Sequence, residues 1–164
     1  MRAIAQDPAS VFIGYGLHPN GANSTLTGIP ESKFIEMPVA ENLMTGIAIG
    51  KSLMGCRPIV YYERFDFILN ALDQIVNHLD KVELLSNSEF KPAILMRAFI
   101  GGTEIPLYTG PTHTQDFTSS LREMVDFPVI RLSDESDPYD AIMKSYDRLS
   151  LGISSIIIEQ KEYL

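Results

Sequence analysis

From residue 34 onward the chain alternates strand-like apolar runs with helix-like amphipathic stretches. Before that, Val11–Leu17 begins as a short apolar run and dissolves into His18–Gly28, rich in Gly, Asn, Ser and Thr, which reads as a loop. Phe34–Met37 reads as a short strand stopped by Pro38. Over Ala40–Met54, apolar residues at Leu43, Met44, Ile47, Ile49 and Leu53, with Gly55 as the stop, predict a helix. Gly46 and Gly50 lie four apart on that helix and so share a face. Each costs up to ~1 kcal/mol relative to Ala in a helix, which close backbone packing would offset.

Ile59–Tyr62 reads as a strand, and Phe67–Leu85 carries a long helical pattern of Ile68, Leu69, Leu72, Ile75, Val76, Leu79 and Val82. Ala93–Phe99 follows as a strand, Gly101–Thr114 as a Gly-containing loop, Phe117–Val125 as a short helix and Pro128–Leu132 as a strand. Asp137-Pro138 opens a helix over 138–149 with an N-cap followed by Pro at the first helical position. Gly152 ends it, and Ser155–Ile158 is a buried strand. The alternation predicts an α/β three-layer sandwich, a mostly parallel sheet with helices on both faces and right-handed crossovers. Ligands on such sheets sit at the carboxyl ends of the strands, so the loops after residues 13, 37, 62 and 99 are the ones to watch.

Composition narrows the function classes. The 164 residues suit one compact domain, with 13 Lys plus Arg against 21 Asp plus Glu and a net charge of −8. That balance argues against nucleic acid or an anionic membrane as partner, both of which want a basic face. No apolar run reaches the ~18 residues of a membrane-spanning helix, and Met1–Ser10 has no apolar signal-peptide core. Cys56 is the single cysteine, which excludes a disulfide within the chain and a cysteine-rich zinc site. A cytoplasmic protein is the expectation.

Read singly, the polar residues are sparing. There is no Walker-type loop, no dinucleotide fingerprint around Gly14-Tyr15-Gly16, no zinc helix and no nucleophile elbow. Cys56 reads as an inert thiol, since no His or basic helix N-terminus is signalled beside it. Glu41, in the first turn of the 40–54 helix, reads as an acid complementing the helix dipole. His113 reads as a solvated loop histidine, and His18 and His78 as surface or satisfied structural residues. Tyr61, Tyr62, Phe65 and Phe67 read as core.

Their order along the chain changes that picture. Met37-Pro38-Val39-Ala40-Glu41, then Gly46-Ile47-Ala48-Ile49-Gly50 and Met54-Gly55-Cys56-Arg57-Pro58-Ile59, resembles the transketolase-like pyrimidine-binding domain of thiamine-diphosphate enzymes. Phe65-Asp66-Phe67-Ile68-Leu69 with Ala71-Leu72-Asp73-Gln74-Ile75-Val76-Asn77 is similar to a signature helix of the beta subunit in the decarboxylating component of 2-oxo-acid dehydrogenases. Lys81, Arg97, Gly101-Gly102, Gly110, Thr112-His113-Thr114-Gln115 and Pro138-Tyr139-Asp140-Ala141 extend the resemblance in the same order. It runs from about residue 11 to the C-terminus.

The resemblance implies roles. Glu41 would hydrogen-bond a ring nitrogen of the cofactor's aminopyrimidine, favouring the imino tautomer that draws a proton from the thiazolium carbon. Such a glutamate must be drier than a free helix-start carboxylate. Phe67 would stack on the pyrimidine, Tyr62 and Phe65 would complete that wall, and His113 would hydrogen-bond or exchange protons with the substrate-derived oxygen. Thiamine diphosphate would be shared with an alpha-type subunit that holds its diphosphate and Mg²⁺ through a Gly-Asp-Gly motif, which is not present here. The expected assembly is a heterotetramer or homodimer, inactive as the lone chain. Residues 1–164 would form the single pyrimidine-binding domain, without the family's usual C-terminal domain. Tyr15-Gly16 stands where the family has an acidic pair, Tyr61 where a glutamate is common, and Glu63-Arg64 adds charges the family pattern does not explain. Half of a transketolase or deoxyxylulose-phosphate-synthase-like enzyme, or a non-catalytic assembly subunit, are the competing expectations.

Overall fold

Strands that are apolar on both faces need covering on both sides, and this chain supplies the covers by alternating strand and helix. The computed structural model describes residues 1–17, 24–103, 108, 110–133 and 136–160; His18 lies outside them. Its six strands are β1 (Ser10–Gly14), β2 (Phe34–Glu36), β3 (Arg57–Tyr62), β4 (Leu95–Ile100), β5 (Val129–Arg131) and β6 (Ser155–Gln160). They form one sheet in the order β2-β1-β3-β4-β6-β5, and every pairing is parallel. The sheet is therefore wholly parallel where the sequence predicts mostly parallel.

Successive strand residues point to opposite faces and split the core in two. On one face Ile13, Val60, Tyr62, Met96, Ala98 and Ile156 pack against helix α2 (Glu41–Leu53) and the segment after β3. On the other, Phe12, Ile59, Tyr61, Leu95 and Ile157 pack under the short helix α1 (Arg2–Ala5) and under α5 (Pro138–Arg148). The α5 start carries the predicted cap: the Asp137 side chain accepts from the backbone N–H groups of Tyr139 and Asp140, with Pro138 at the first turn. Between these lie α3 (Val82–Leu85) and α4 (Thr118–Met124).

One element departs from expectation. The long helix predicted over Phe67–Leu85 is wound tightly as a 3₁₀ segment over Phe65–Ala71, then loosely as a π segment over Asp73–Leu79, before α3. Burial spacing accounts for the first half: Phe65, Ile68 and Ala71 recur every three positions, the 3₁₀ period. Ile75 and Leu79 recur at four, a spacing that an α-helix would serve equally.

The second face contains a charge that the apolar pattern hides. Arg97 on β4 is 1% exposed. Its Nε and Nη2 donate to the two carboxylate oxygens of Glu159 on β6 at 2.7 and 2.8 Å, and Nη1 donates to the Tyr61 hydroxyl on β3 at 3.0 Å. The guanidinium also lies 5.1 Å from the Tyr61 ring centroid and 5.3 Å from that of Phe99. Three strands are thus tied through one bidentate ion pair. Removing one partner strands the other as a buried charge. Arg97→Met is expected to cost about 3–5 kcal/mol in urea unfolding, and adding Glu159→Met to recover much of that loss. A single-variant cost near zero would show that the pair contributes nothing.

Candidate functional site

Glu41 is where the fold brings a carboxylate out of water at the sheet's C-terminal end. Pro38 closes the strand run, Ala40 is non-helical at φ −153°, and α2 begins at Glu41 itself. No side chain caps this helix. The Glu41 side chain turns inward instead, leaving the residue 3% exposed. Asn70 Nδ2 reaches one carboxylate oxygen at 3.3 Å, and the Tyr15 hydroxyl reaches the other at 3.5 Å. Both bonds are long, so the carboxylate retains acceptor capacity. Among the described residues no Lys, Arg or His forms an ion pair with it.

Tyr15 follows β1, and burial first, then the nearby Glu41 and Glu63 carboxylates, push its phenol up to about 12. It is therefore a neutral donor across the physiological range. Glu63 and Arg64, bonded to each other at 2.7 Å, act electrostatically on the same phenol from the end of β3. The two charges left unexplained by the family pattern thus belong to the rim of this site.

Below Glu41 the hydrogen bonds run in one direction. Thr45 Oγ1 donates its single proton to the Glu41 carbonyl at 2.7 Å, which leaves the Tyr62 hydroxyl to donate to Thr45 at 2.6 Å. Tyr62 and Phe65 are both fully buried, Phe65 packing with Phe117 at a 6.0 Å centroid separation. They do not occupy the ligand-facing wall assigned to them on sequence. Tyr62 shares the covered sheet face with Val60, and Phe65 lies on the inward edge of the 3₁₀ segment. They back the site from inside the core.

Phe67 is half-buried and stands on the same 3₁₀ edge as Asn70, three residues on, whose amide touches Glu41. Its ring meets the His113 ring edge-on, centroids 5.3 Å apart and planes at 79°. His113 comes from the loop after β4, where its carbonyl accepts from Gly101 N–H at 2.8 Å. Asp66 secures that loop: its Oδ1 accepts from the Gln115 side-chain amide at 2.8 Å and from the Gln115 backbone N–H at 3.3 Å. Sequence reasoning gave no role to Tyr15, Asn70, Thr45 or Asp66 as partners of the site. Only the i, i+3 relation of Phe67 to Asn70 was a usable signal for any of them.

Glu41, Phe67 and His113 thus follow the C-terminal ends of β2, β3 and β4, Glu41 linked through Asn70 to the segment that carries Phe67, and Phe67 in ring contact with His113. Cys56 lies at the other end of α2 and stays a free thiol, and His78 is exposed near Asp73 at 3.5 Å. Among the described residues no group of three His, Cys, Asp or Glu side chains can hold a metal ion. No helix among them is long and apolar enough to cross a membrane.

A solved structure described as "Split gene transketolase, inactive beta4 tetramer" superposes on 98% of this chain and 49% of its own, with a TM-score of 0.69 at 18% identity. The architecture is thus that of the transketolase-like α/β domains. No family model matches the chain. A 2-oxoisovalerate dehydrogenase subunit beta from Bacillus subtilis is 31% identical over 112 residues, covering 68% of this chain and 32% of that protein. A pyruvate dehydrogenase E1 component subunit beta from Chaetosphaeridium globosum is 29% identical over 142 residues, covering 84% of this chain and 42% of that protein. The chain belongs to the family of these 2-oxo-acid dehydrogenase beta subunits and has the transketolase-like fold. It spans less than half the length of either relative. Other relatives are named as mitochondrial or chloroplastic subunits, so kinship alone assigns no compartment.

The Thr45–Tyr62 bond supports a stability prediction. Thr45→Val leaves a buried phenol without an acceptor and is expected to cost about 1–3 kcal/mol, more than Tyr62→Phe, in thermal or urea unfolding. The double variant should cost less than the sum of the two.

Proposed function

We propose that this chain, acting as one unit over residues 1–164, supplies the aminopyrimidine half of a thiamine-diphosphate site. Its assembly would be a heteromeric, cytoplasmic 2-oxo-acid decarboxylating dehydrogenase in which this is the beta-type subunit. The observation that carries the reading is Glu41: a buried carboxylate, unpaired with any cation among the described residues and held by two long neutral hydrogen bonds, one of them from Asn70 on the segment that carries the half-exposed Phe67 ring. Such a carboxylate can hold a proton shared with a heteroaromatic ring nitrogen, and Phe67 offers that ring a face. Thiamine diphosphate supplies the carbanion-stabilising chemistry when bound. Asn70 and Tyr15 orient the carboxylate, Tyr62 and Phe65 keep water from behind it, and His113 presents its ring to the oxygen of the reacting carbonyl.

The other half of the site is assigned to an alpha-type subunit binding the diphosphate and Mg²⁺, in an α₂β₂ heterotetramer. Three features support this. The sequence has no Gly-Asp-Gly, the described residues offer no metal cluster, and Val39, Leu43 and Leu69 stand exposed around Glu41 and Asn70. Gly50, where an added Cβ would meet nothing within 4 Å, leaves room on α2 for a close helix neighbour, whereas Gly46 already faces Gln74. A second reading, half of a transketolase-like enzyme, is favoured by the architecture of the superposed structure. Comparing 2-oxo acids with ketose phosphates as substrates of the reconstituted complex separates the two.

Glu41→Gln keeps the shape and removes the acid. In a complex with the alpha-type partner, thiamine diphosphate and Mg²⁺, it is expected to lower turnover about 100-fold or more. Unchanged turnover would favour a purely assembling subunit, and activity from the wild-type chain alone would refute the divided site.

A further inference from the structure

The pole opposite Glu41, where β4, β5 and β6 begin, has a cavity of about 410 Å³. That volume is within the range of small-molecule sites. Leu79, Phe127, Pro128 and Ile153 give it apolar walls. Gly152 builds part of its rim: it sits at φ +73°, and a Cβ there would lie 2.5 Å from Lys91 Cε, so the lysine stem crosses where a side chain cannot.

Three acids, Asp80, Glu83 and Asp126, and three cations, Lys81, Lys91 and Arg148, line or flank this cavity, so its net charge is zero, but the pairing is uneven. Asp80 is paired with Lys81 and also accepts the Asp126 N–H at 2.8 Å. Glu83 pairs with Lys91 at 3.0 Å. The Asp126 side chain, 92% exposed and 3.4 Å from Lys81, is screened by water. Arg148, in the last turn of α5, is half-buried, and among the described residues it has neither a carboxylate nor a hydrogen-bond acceptor. A guanidinium prefers planar oxyanions bound through paired N–H donors. Among the described residues Arg148 is thus the one lining charge without an ion-pair partner, and it lines the cavity with Leu79, Phe127, Pro128 and Ile153.

We propose that this cavity binds a small organic carboxylate, its carboxylate on Arg148 and its apolar body against Leu79, Phe127, Pro128 and Ile153. The apolar walls favour a carboxylate with a hydrocarbon body over free phosphate. Each lining acid already has a cation partner, which disfavours an amine. Because the cavity lies at the strand ends opposite Glu41, its occupant is a separate ligand from any substrate reacting there. The inference stands without the proposed function.

The test titrates the full chain with butanoate, hexanoate, hexylamine and inorganic phosphate while NMR follows the Arg148 Nε–H and the Ile153 methyl groups. Saturable shifts with hexanoate are expected, with affinity rising roughly fourfold per added methylene from butanoate. Arg148→Gln should weaken hexanoate about 10-fold or more without lowering the thermal midpoint. Ile153→Ser should flatten the chain-length dependence. The proposal is overturned by an absence of saturable shifts, by hexylamine or phosphate binding as tightly as hexanoate, or by equal affinity in the Arg148 variant.

Discussion

Withdrawing a carboxylate from water is costly unless its oxygens are satisfied, and the organisation of the candidate site follows from how Glu41 meets that cost. Among the described residues no cation answers it; the donors are a carboxamide and a phenol at long range. A paired arginine would lock the group as a permanent anion. Two weak neutral donors instead leave it oriented and still able to take a further hydrogen bond. The arrangement depends on α2 starting at the acid itself, with the preceding Pro38-Val39-Ala40 turn delivering the side chain to the C-terminal pole. Thr45, one helical turn later, fixes the Glu41 carbonyl and joins it to the β3 tyrosine. Sheet and helix start are therefore joined by hydrogen bonds directly behind the carboxylate.

Tyr61 and Tyr62 show how a parallel sheet separates stability from chemistry. Neighbours in sequence, they point to opposite faces. Tyr62 supports the helix that carries Glu41. Tyr61 accepts from Arg97 and stacks beneath its guanidinium, in a network with Glu159 on the other face of the sheet from Tyr62. A phenol suffices at position 61 because Glu159 already supplies the counter-charge from β6. The same position held by an acid would place a second carboxylate on one arginine.

Much of the fold was legible because strand and helix signals alternate cleanly, and the same alternation located the loops that carry Tyr15, Glu41, Phe67 and His113. The exceptions share a cause. Over Phe65–Leu79 a period of three runs into a spacing of four, which a single α template reads as one ordinary helix. The Arg97–Glu159 pair spans 62 positions and needs β4 and β6 to be neighbours, which the order of elements along the chain does not state. Tyr62 and Phe65 were placed by family analogy on a ligand-facing wall, although Tyr62's shared face with Val60 already pointed inward. The cavity beside Arg148 is assembled from three separate connections and has no sequence signature at all.

Tyr15 gives the candidate site its own character. An acid at that position would be a second proton-exchanging group beside Glu41, and its charge would oppose ionisation of its neighbour. A phenol held near 12 by burial and by the Glu41 and Glu63 carboxylates does neither. It donates one hydrogen bond and keeps its proton throughout the working range, so it can orient the carboxylate but cannot relay charge away from it. Under the proposed function, proton exchange at Glu41 would then be confined to the bound ligand and the water that ligand admits. Under the proposed function, the β1 loop of this chain is a positioning element, and any coupling between paired sites must travel through packing across the subunit seam.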